Sequence, residues 1–372
     1  MATGRSGKGD PTIWAIPIFF LTMAGEYLVH RRRASRNGST PGTYERKDTL
    51  TSLTMGTLSV VLPLLLPKVL RPITPGKGRF GAGLVGLTAT AVAVTTIADR
   101  KAAQDRQRLP EGNQLTPRQP TPSERVASAS GVAAVGMGLL AISTWWASVT
   151  SIDRLWSKRF WHLGRGPVAW LVALLGWDFI YYWNHRTMHE RRFMWAIHVV
   201  HHSSERYNLS TALRQPVADA LGTYVPYSAL CLVGVTPELV LASRGINLLY
   251  QYWIHTELVG TLGAAEAVLN SPADHRVHHG VNPQYLDRNH GGILISWDKA
   301  FGTYEPEVET VRYGLTKNVN SFNPWTVITH AYQDLVKDLS ASRSWRERLS
   351  HLLLEPGWGD KQKALQETTP VA

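Results

Sequence analysis

Eight of the 14 histidines in this chain lie in three short clusters between positions 185 and 279. The clusters read HRTMH, HVVHH and HRVHH, and they contain His185, His189, His198, His201, His202, His275, His278 and His279. Steps of three or four residues place side chains on one face of a helix, so each cluster can present its imidazoles to a common centre. Scattered core histidines would not be grouped in this way. The spacing therefore predicts a metal site.

Imidazole binds iron, zinc, copper and nickel, so the ligand type alone leaves the metal open. The number of ligands is more informative, because eight clustered imidazoles, with His255 as a candidate ninth, exceed the three or four of a zinc site. Two metals in a shared histidine cage fit this number better. The sequence has no HExxH motif of a zinc protease and no ExxH pairs of a di-iron carboxylate bundle. Its single cysteine, Cys231, excludes a cysteine-rich zinc or iron–sulfur site.

Five apolar runs accompany the clusters, each about long enough to cross a bilayer core of roughly 30 Å. The predicted spans are 12–29, 49–67, 80–98, 126–149 and 166–183. The third and fourth runs are rich in Ala, Gly, Thr and Ser, which suits close packing in a membrane bundle or, alternatively, a buried helix of a soluble protein. The first run is expected to be a retained anchor, because no small-residue cleavage site follows it.

The formal net charge of +11 resides largely in the segments between the apolar runs. Such basic segments attract anionic lipid headgroups, and no nucleic-acid-binding motif is present. We therefore expect a membrane, and no nucleic acid, as a partner. The first and third loops hold six Lys or Arg each, against four in the second and fourth. This bias favours a cytoplasmic location for the histidine clusters.

These patterns predict an all-α, integral membrane helical bundle with a cytoplasmic, histidine-lined helical cap and amphipathic C-terminal helices. The expected parts are a transmembrane region over 1–165 with a flexible polar loop at 99–125, a histidine-bearing domain over 166–304, and a C-terminal tail over 305–372.

Within these parts, the sequence predicts one long helical stretch over 166–202 and further helices over 216–233 and 236–256. The amphipathic pattern over 324–354 predicts helices that lie along the membrane surface. Their basic residues are Lys337, Arg343, Arg346 and Arg348.

Two segments resemble the fatty acid hydroxylase/sterol desaturase superfamily. Trp177–Gln215 (WDFIYYWNHRTMHERRFMWAIHVVHHSSERYNLSTALRQ) is similar to its core, and Ser271–Tyr304 (SPADHRVHHG…YLDRNHGGILISWDKAFGTY) is similar to its second half. The three histidine boxes occur in the superfamily's order, over roughly residues 166–304. HHSSERYNLSTALRQ, together with KDTLTSL beyond the first apolar run, resembles the alkylglycerol-monooxygenase-like branch.

The resemblance implies a membrane-bound, non-haem di-iron oxygenase that uses O₂ and external electrons to attack a C–H bond of a lipid. It implies two iron ions, held by the eight clustered histidines and by His255. His290, in NHGG where many relatives resemble NYGG, would be a ligand, a pocket residue or a hydrogen-bonding neighbour of the site. Ligation by histidine alone fits a strong oxidant, since a thiolate would itself be oxidised.

Four other polar residues are of interest. Asp178, two helical turns before His185, is expected to orient an imidazole by accepting its second N–H, or else to be a buried acid that caps or pairs with an arginine. Asn208 and Arg214 are expected to face the site or a lipid headgroup, the alternative for Arg214 being a side chain that snorkels to the interface. Asp274 is expected to N-cap the helix of the third cluster, the alternative being that it orients an imidazole as Asp178 would.

Three functions stay open on the sequence. They are a hydroxylase of a fatty acyl, sterol or ether lipid, a desaturase of the same superfamily, and a membrane metal-binding or transport protein without redox chemistry. The electron donor is expected to be a separate ferredoxin, cytochrome b5-like protein or reductase, because no haem, flavin or nicotinamide motif is visible; a pterin reductant is the alternative that the branch implies. The membrane would be the inner membrane of a bacterium or the endoplasmic reticulum of a eukaryote.

His201→Ala and His278→Ala are each predicted to abolish lipid oxidation, because each removes a ligand from a shared cage. Both variants should still insert into membranes. Lipid oxidation by membranes that contain equal amounts of each variant is the measurement. His330→Ala, which lies outside the clusters, is the control and should turn over normally. Retained activity in either cluster variant would contradict the shared-cage hypothesis.

Overall fold

The computed structural model describes residues 11–108, 119–217 and 226–362. In these ranges the chain forms helices and loops without a β-strand, and one antiparallel bridge joins Leu269 to Leu294. The all-α prediction is thereby confirmed. The chain divides into two compact units. The first contains the chain up to Leu64, Val149–His189 and Ile197–Thr329, and the second contains Leu65–Ser148, Glu190–Ala196 and the chain from His330 onward. The three-part division predicted from the sequence stays a prediction.

The N-terminal part of the chain contains four long helices and two short ones. The long helices are α2 Ile16–Asn37, α3 Arg46–Leu70, α4 Gly81–Arg108 and α5 Pro122–Val149, and the short ones are α1 Pro11–Trp14 and α6 Ile152–Ser157. The predicted polar loop at 99–125 is therefore shorter than expected, because α4 continues to Arg108 and α5 begins at Pro122. Residues 109–118 of that loop lie outside the described ranges.

Three helical segments are long and apolar enough to cross a membrane: Arg46–Ile73, Gly81–Arg108 and Pro122–Val149. They contain the second, third and fourth predicted spans, so the two Ala- and Gly-rich runs are among them. The first and fifth predicted spans are also helical, in Ile16–Asn37 and Pro167–Glu190. Neither helix is among the three segments: Ile16–Asn37 runs into the basic residues 31–33, and Pro167–Glu190 becomes polar and histidine-rich towards its C-terminal end.

The histidine-bearing region is built from shorter helices. They are α7 Pro167–Glu190, α8 Arg192–His202, α9 Pro237–Trp253, α10 Pro272–His278 and α11 Ser296–Phe301. The single helical stretch predicted over 166–202 is wrong in one respect, since α7 ends at Glu190 and α8 begins at Arg192. Of the helix predicted over 216–233, residues 216–217 and 226–233 are described, and among them Tyr227–Cys231 forms a 3₁₀ turn; residues 218–225 lie outside the described ranges.

An apolar core in the first unit fixes the position of α7. Ala169, Ala173 and Trp177 on one face of α7 pack with Leu230 and with α9. Trp177 also stacks on Tyr227, with 4.2 Å between ring centres. The small side chains of Ala169 and Ala173 let the partners approach α7 closely. The part of α7 that precedes the first histidine cluster is therefore well packed.

The C-terminal helices are α12 Pro324–Ala341 and α13 Trp345–Leu353. Ser344 caps α13 by accepting a hydrogen bond from the Glu347 N–H. The surface location predicted for Arg348 is wrong, because this side chain is fully buried in the second unit. It makes two hydrogen bonds to the carboxylate of Asp99 in α4, at 2.6 and 3.1 Å. Gly131 leaves room for it, since a Cβ there would lie 2.5 Å from the Arg348 Nε.

Arg348→Met is predicted to lower the free energy of unfolding by about 3–5 kcal/mol, because it leaves the Asp99 carboxylate without its buried counter-charge. Chemical unfolding of the purified protein in detergent measures the effect. Arg346→Met, at an exposed position on the same helix, is the matched control. Adding Asp99→Leu to Arg348→Met should restore much of the loss. An unchanged single variant would show that the ion pair contributes nothing to stability.

Candidate metal centre

Ten buried histidines come together in the first unit. Helix α7 carries His185 and His189, α8 carries the second cluster, and α10 with its C-terminal cap carries the third. His255 follows the end of α9, and His290 lies in the loop before α11. Each of the ten side chains is 6% exposed or less. The structure thus brings together all ten histidines named from the sequence.

Nine of these histidines form two groups, and within each group the nitrogens that could bind a metal lie within 4.8 Å of one another. The five-histidine group is His185, His189, His198, His202 and His278, and the four-histidine group is His201, His255, His275 and His279. In each HxxHH box the first and last histidines belong to one group and the middle histidine to the other. The two groups are direct neighbours, because the rings of His202 and His279 stack with 4.4 Å between their centres.

One short loop orients three rings of the five-histidine group. His185 Nδ1 donates to the His290 carbonyl and His278 Nδ1 to the Arg288 carbonyl, both at 2.9 Å. His189 Nδ1 donates to the Asp287 carboxylate at 3.3 Å. All three acceptors belong to residues 287–290. Since a carbonyl or carboxylate oxygen only accepts, each of these rings carries its proton on Nδ1 and keeps a lone pair on Nε2.

The four-histidine group is oriented by other main-chain carbonyls. His201 Nδ1 donates to the Arg214 carbonyl at 3.3 Å, and His255 Nδ1 donates to the Gln251 carbonyl at 2.6 Å. The Nε2 atoms of these two rings therefore both present lone pairs, and they lie 3.2 Å apart. Two lone pairs at this distance repel unless a cation lies between them. This geometry is what a metal ion requires of its ligands.

Several buried ring nitrogens also make no hydrogen bond. They include His278 Nε2 and His279 Nε2. A buried polar atom without a partner is costly, and a bound metal would remove that cost. The residues present therefore fit a two-metal histidine site on their own chemistry.

Burial favours the neutral form of an imidazole, which is the form that binds metal. It lowers the pKa of His185 to about 3 and that of His255 to about 4. The pKa values of His198 and His279 are likewise held well below the ordinary value, again mainly by burial. The site therefore does not need a basic solution to provide ligands.

Asp298, which the sequence analysis missed, holds the orienting loop in place. Its two carboxylate oxygens accept the main-chain N–H groups of His290 and Gly291, each at 2.7 Å, and Thr303 donates to it at 2.7 Å. The loop needs this support because Asp287 and Asn289 have φ angles of 56° and 54°, a region that side chains rarely adopt. A charged residue within the apolar and aromatic stretch ILISWDKAFGTY was the available signal.

Asp178 does not orient a ligand imidazole, and this prediction is wrong. Its carboxylate accepts the main-chain N–H groups of Ile293 and Leu294 at 2.8 and 3.1 Å and the side chains of Asn247 and Trp297 at 2.6 and 2.9 Å. It holds the segment that directly follows this loop. A glycine at position 292 permits this approach, because a Cβ there would lie 2.7 Å from Asp178 Oδ1.

Arg214 takes part in the site through its main chain and not by reaching a lipid headgroup. Its carbonyl orients His201, while its guanidinium is 2% exposed and pairs with Asp48 of α3 at 2.6 Å. Ser52, one turn further along α3, accepts a third hydrogen bond at 3.2 Å. The buried ion pair of Arg214 and Asp48 therefore fixes the position of the Arg214 carbonyl, which in turn orients the His201 imidazole.

Asn208 and Asp274 have local structural roles. The Asn208 side chain is fully buried and accepts from the Ser210 N–H and hydroxyl at 3.1 and 2.6 Å, so it does not reach a lipid headgroup, and its facing the site stays a prediction. The N-cap of α10 is Ser271, and Asp274 is its partner in a capping box. This corrects the prediction of Asp274 as the cap itself.

His290 lies beside the five-histidine group and outside both groups. Its ring centre is 5.1 Å from that of His189, and its Nε2 donates to the Asp287 carbonyl at 3.0 Å. Its Nδ1 is buried without a hydrogen bond. Its main-chain carbonyl is the acceptor for His185. A role for the His290 ring as a ligand stays a prediction.

Comparison with known proteins gives matches to this same region. Residues 170–303 match the family model described as fatty acid hydroxylase. The chain is 47% identical over 213 residues to alkylglycerol monooxygenase of Homo sapiens, which covers 57% of this chain and 48% of that protein. It is 48% identical over 190 residues to the Danio rerio protein of the same name, which covers 51% of this chain and 42% of that protein.

A more distant relative is ornithine lipid hydroxylase OlsE of Rhizobium tropici, 25% identical over 178 residues, or 46% of this chain and 54% of that protein. The chain thus spans about half the length of the curated relatives it matches. No solved structure is significantly similar to it.

Asp298→Ala is predicted to remove metal from the five-histidine group and leave the four-histidine group loaded, because three rings of the former take their hydrogen-bond acceptors from residues 287–290, whereas the acceptors of His201 and His255 lie elsewhere. Each main-chain N–H that loses its buried acceptor costs about 1–3 kcal/mol. Metal analysis of the purified chain should show that one of the two metal ions is lost. Asp334→Ala, which removes an exposed carboxylate, is the control and should keep both. Loss of both ions, or of neither, would contradict separate support of the two groups.

Proposed function

We propose that the chain is a membrane-bound, non-haem di-iron oxygenase, because its residues 170–303 match the fatty acid hydroxylase family model and it is similar to alkylglycerol monooxygenases. It would hydroxylate a C–H bond of a lipid with O₂ and external electrons. The observation that carries the proposal is the pair of adjacent histidine groups, in which buried Nε2 lone pairs face one another.

Iron bound at the two groups would supply the redox chemistry that O₂ activation requires. The contribution of the chain is to hold the ligands. It keeps the proton of five imidazoles on Nδ1, against the carbonyl or carboxylate acceptors of His290, Arg288, Asp287, Arg214 and Gln251. It also excludes bulk water from the ligands, none of which is more than 6% exposed. A dry site protects a strong oxidant from side reactions.

A lipid substrate is supported by the connection between the site and a membrane segment. Asp48 and Ser52 lie in the first turns of α3, which belongs to a segment that could cross the bilayer. Through Arg214 they hold the carbonyl that orients His201. The four-histidine group is thus tied to the end of a membrane helix, where an acyl or alkyl chain from the bilayer can approach.

We propose a lipid with a polar headgroup as the substrate class, with an ether lipid of glycerol as the first candidate. The names of the relatives refer to an alkylglycerol and to an ornithine lipid. Desaturation of an acyl chain or sterol is the second candidate reaction, since it begins with the same removal of hydrogen. The proposed electron donor is a separate reductase, ferredoxin or cytochrome b5-like protein that docks on the cytoplasmic side.

The deciding experiment uses the full chain in lipid nanodiscs, loaded with iron. Iron content, O₂ uptake with a reductant, and the mass of an added alkylglycerol lipid are measured together. We expect two irons per chain and a product that has gained one oxygen atom. His201→Ala is the control for background oxidation.

Each alternative has its own outcome. Loss of two hydrogens from the lipid without gain of oxygen would establish desaturation in place of hydroxylation. Stoichiometric zinc, with no O₂ uptake after iron loading, would overturn the oxygenase and favour a metal-binding or transport protein.

A further inference from the structure

A chain of side-chain hydrogen bonds joins α7 to α9 beside the histidine groups. The Tyr181 hydroxyl donates to the side-chain carbonyl of Gln251 at 2.7 Å, and the Gln251 amide donates to the side-chain carbonyl of Asn247. The Asn247 amide then donates to the Asp178 carboxylate at 2.6 Å. Asp178 and Asn247 are each 1% exposed. We call these four residues, two from each helix, the α7–α9 clamp.

The direction of the hydrogen bonds in the clamp is fixed by its acidic end. Both oxygens of the Asp178 carboxylate accept from N–H groups, so Asn247 has to turn its NH₂ group towards Asp178 and its carbonyl towards Gln251. Gln251 must then donate through its own NH₂ group, which leaves its carbonyl as the acceptor for the Tyr181 hydroxyl. Each amide thus has a single orientation, and hydrogen bonds in such a series strengthen one another.

Each helix of the clamp leads into one of the histidine groups. His185 follows Tyr181 by one turn of α7, and the centres of the two rings lie 5.1 Å apart. On α9, the main-chain carbonyl of Gln251 accepts the His255 Nδ1 proton at 2.6 Å. That carbonyl is available because the helix ends here and the His255 N–H bonds to the Tyr252 carbonyl instead. Gln251 therefore orients His255 with its main chain while its side chain is held by α7.

The acidic end of the clamp also contacts the segment that follows the orienting loop. Asp178 accepts the main-chain N–H groups of Ile293 and Leu294. Gly292 lies against the Asp178–Asn247 hydrogen bond, since a Cβ there would be 2.7 Å from Asp178 Oδ1 and 2.9 Å from Asn247 Nδ2. The clamp thus connects the carbonyl that orients His255 with the segment next to the acceptors of the five-histidine group.

We propose that Asn247 and Gln251 are positioning residues of the metal centre. They fix the end of α9 against α7 and so hold His255, of the four-histidine group, in register with His185, of the five-histidine group. Metal ligands have to be held within a fraction of an ångström of their binding geometry, and polar neighbours that do not bind the metal provide this. The inference rests on the part of the proposed function that places metal ions in the histidine groups, and it involves no redox step.

A purely structural role for the clamp is the alternative. An apolar seam would join the two helices equally well, and one is present nearer their N-terminal ends, where Ala173 and Trp177 share an apolar cluster with Leu239 and Val240. The amides replace this seam in the turns that approach the histidines. Buried amides are costly unless they are hydrogen-bonded. Their location beside the ligands therefore favours a role in positioning over one in packing.

The test uses the full chain in lipid nanodiscs, freed of metal and titrated with Co²⁺, whose visible absorption reports the geometry of its ligands. Gln251→Met keeps the length of the side chain but removes both of its hydrogen bonds. It should bind one of the two ions about tenfold more weakly or worse, and the absorption of the saturated protein should change. Tyr181→Phe removes only the far end of the clamp and should show a smaller change in the same direction.

Two controls on α9 separate positioning from stability. Thr236→Val removes the hydroxyl that caps this helix by accepting from the Leu239 N–H. It should lower the midpoint of thermal unfolding without changing the affinity for Co²⁺ or the absorption. Tyr252→Phe removes a hydroxyl that donates to the Phe19 carbonyl of α2 at 3.0 Å, and it should bind Co²⁺ as the wild type does.

The outcomes separate this proposal from the proposed function. Wild-type affinity and absorption in Gln251→Met, or in Tyr181→Phe where Gln251→Met does not fold, overturn the proposal. Equal weakening in Thr236→Val also overturns it, because Co²⁺ affinity would then follow the stability of α9. A wild type that binds no Co²⁺ removes the metal site and the proposed function with it. Absence of O₂ uptake by the iron-loaded wild type, with the Co²⁺ results as expected, removes the oxygenase and leaves the positioning role standing.

Discussion

The constraint on which the site depends is the convergence of uncharged nitrogen lone pairs in a space without water. His201 and His255 direct Nε2 lone pairs at each other over 3.2 Å, and burial keeps the pKa of each below its ordinary value. Without a cation this arrangement is repulsive. It persists only because the other nitrogen of each ring is bonded to a rigid main-chain carbonyl. The surrounding structure is therefore a scaffold that positions the main-chain carbonyl oxygens to which these rings donate.

That scaffold is stabilised by buried polar side chains which do not touch the imidazoles. Asp298 and Asp178 hold the loop that contains the acceptors of the five-histidine group. Arg214, paired with Asp48, places the acceptor for His201. Each buried charge is satisfied by several donors or by an ion pair, as burial requires. Three buried groups far apart in sequence thus act through main-chain atoms on the ligands.

The N-terminal helices contribute to the same scaffold. Glu26 of α2 accepts hydrogen bonds from the Leu209 N–H and from Thr256, which is next to His255. Asp48 of α3 performs the equivalent task for the second cluster through Arg214. A buried acidic side chain is costly unless it is hydrogen-bonded, and here Glu26 and Asp48 are satisfied by hydrogen bonds to the ligand-bearing segments. Helices α2 and α3 are therefore part of the site's support.

The sequence alone determined the all-helical class, the apolar segments and the set of histidines, because periodicity and clustering are local properties of a chain. It did not reveal that the histidines of each HxxHH box divide between two groups. This division depends on which histidines of the neighbouring helices lie next to the middle histidine. It also misassigned Asp178 and missed Asp298, because the hydrogen-bond partners of a buried side chain are determined by tertiary packing. Residue type and spacing identify which groups can bind a metal; only the fold decides which carbonyl orients each ring and hence where its lone pair points.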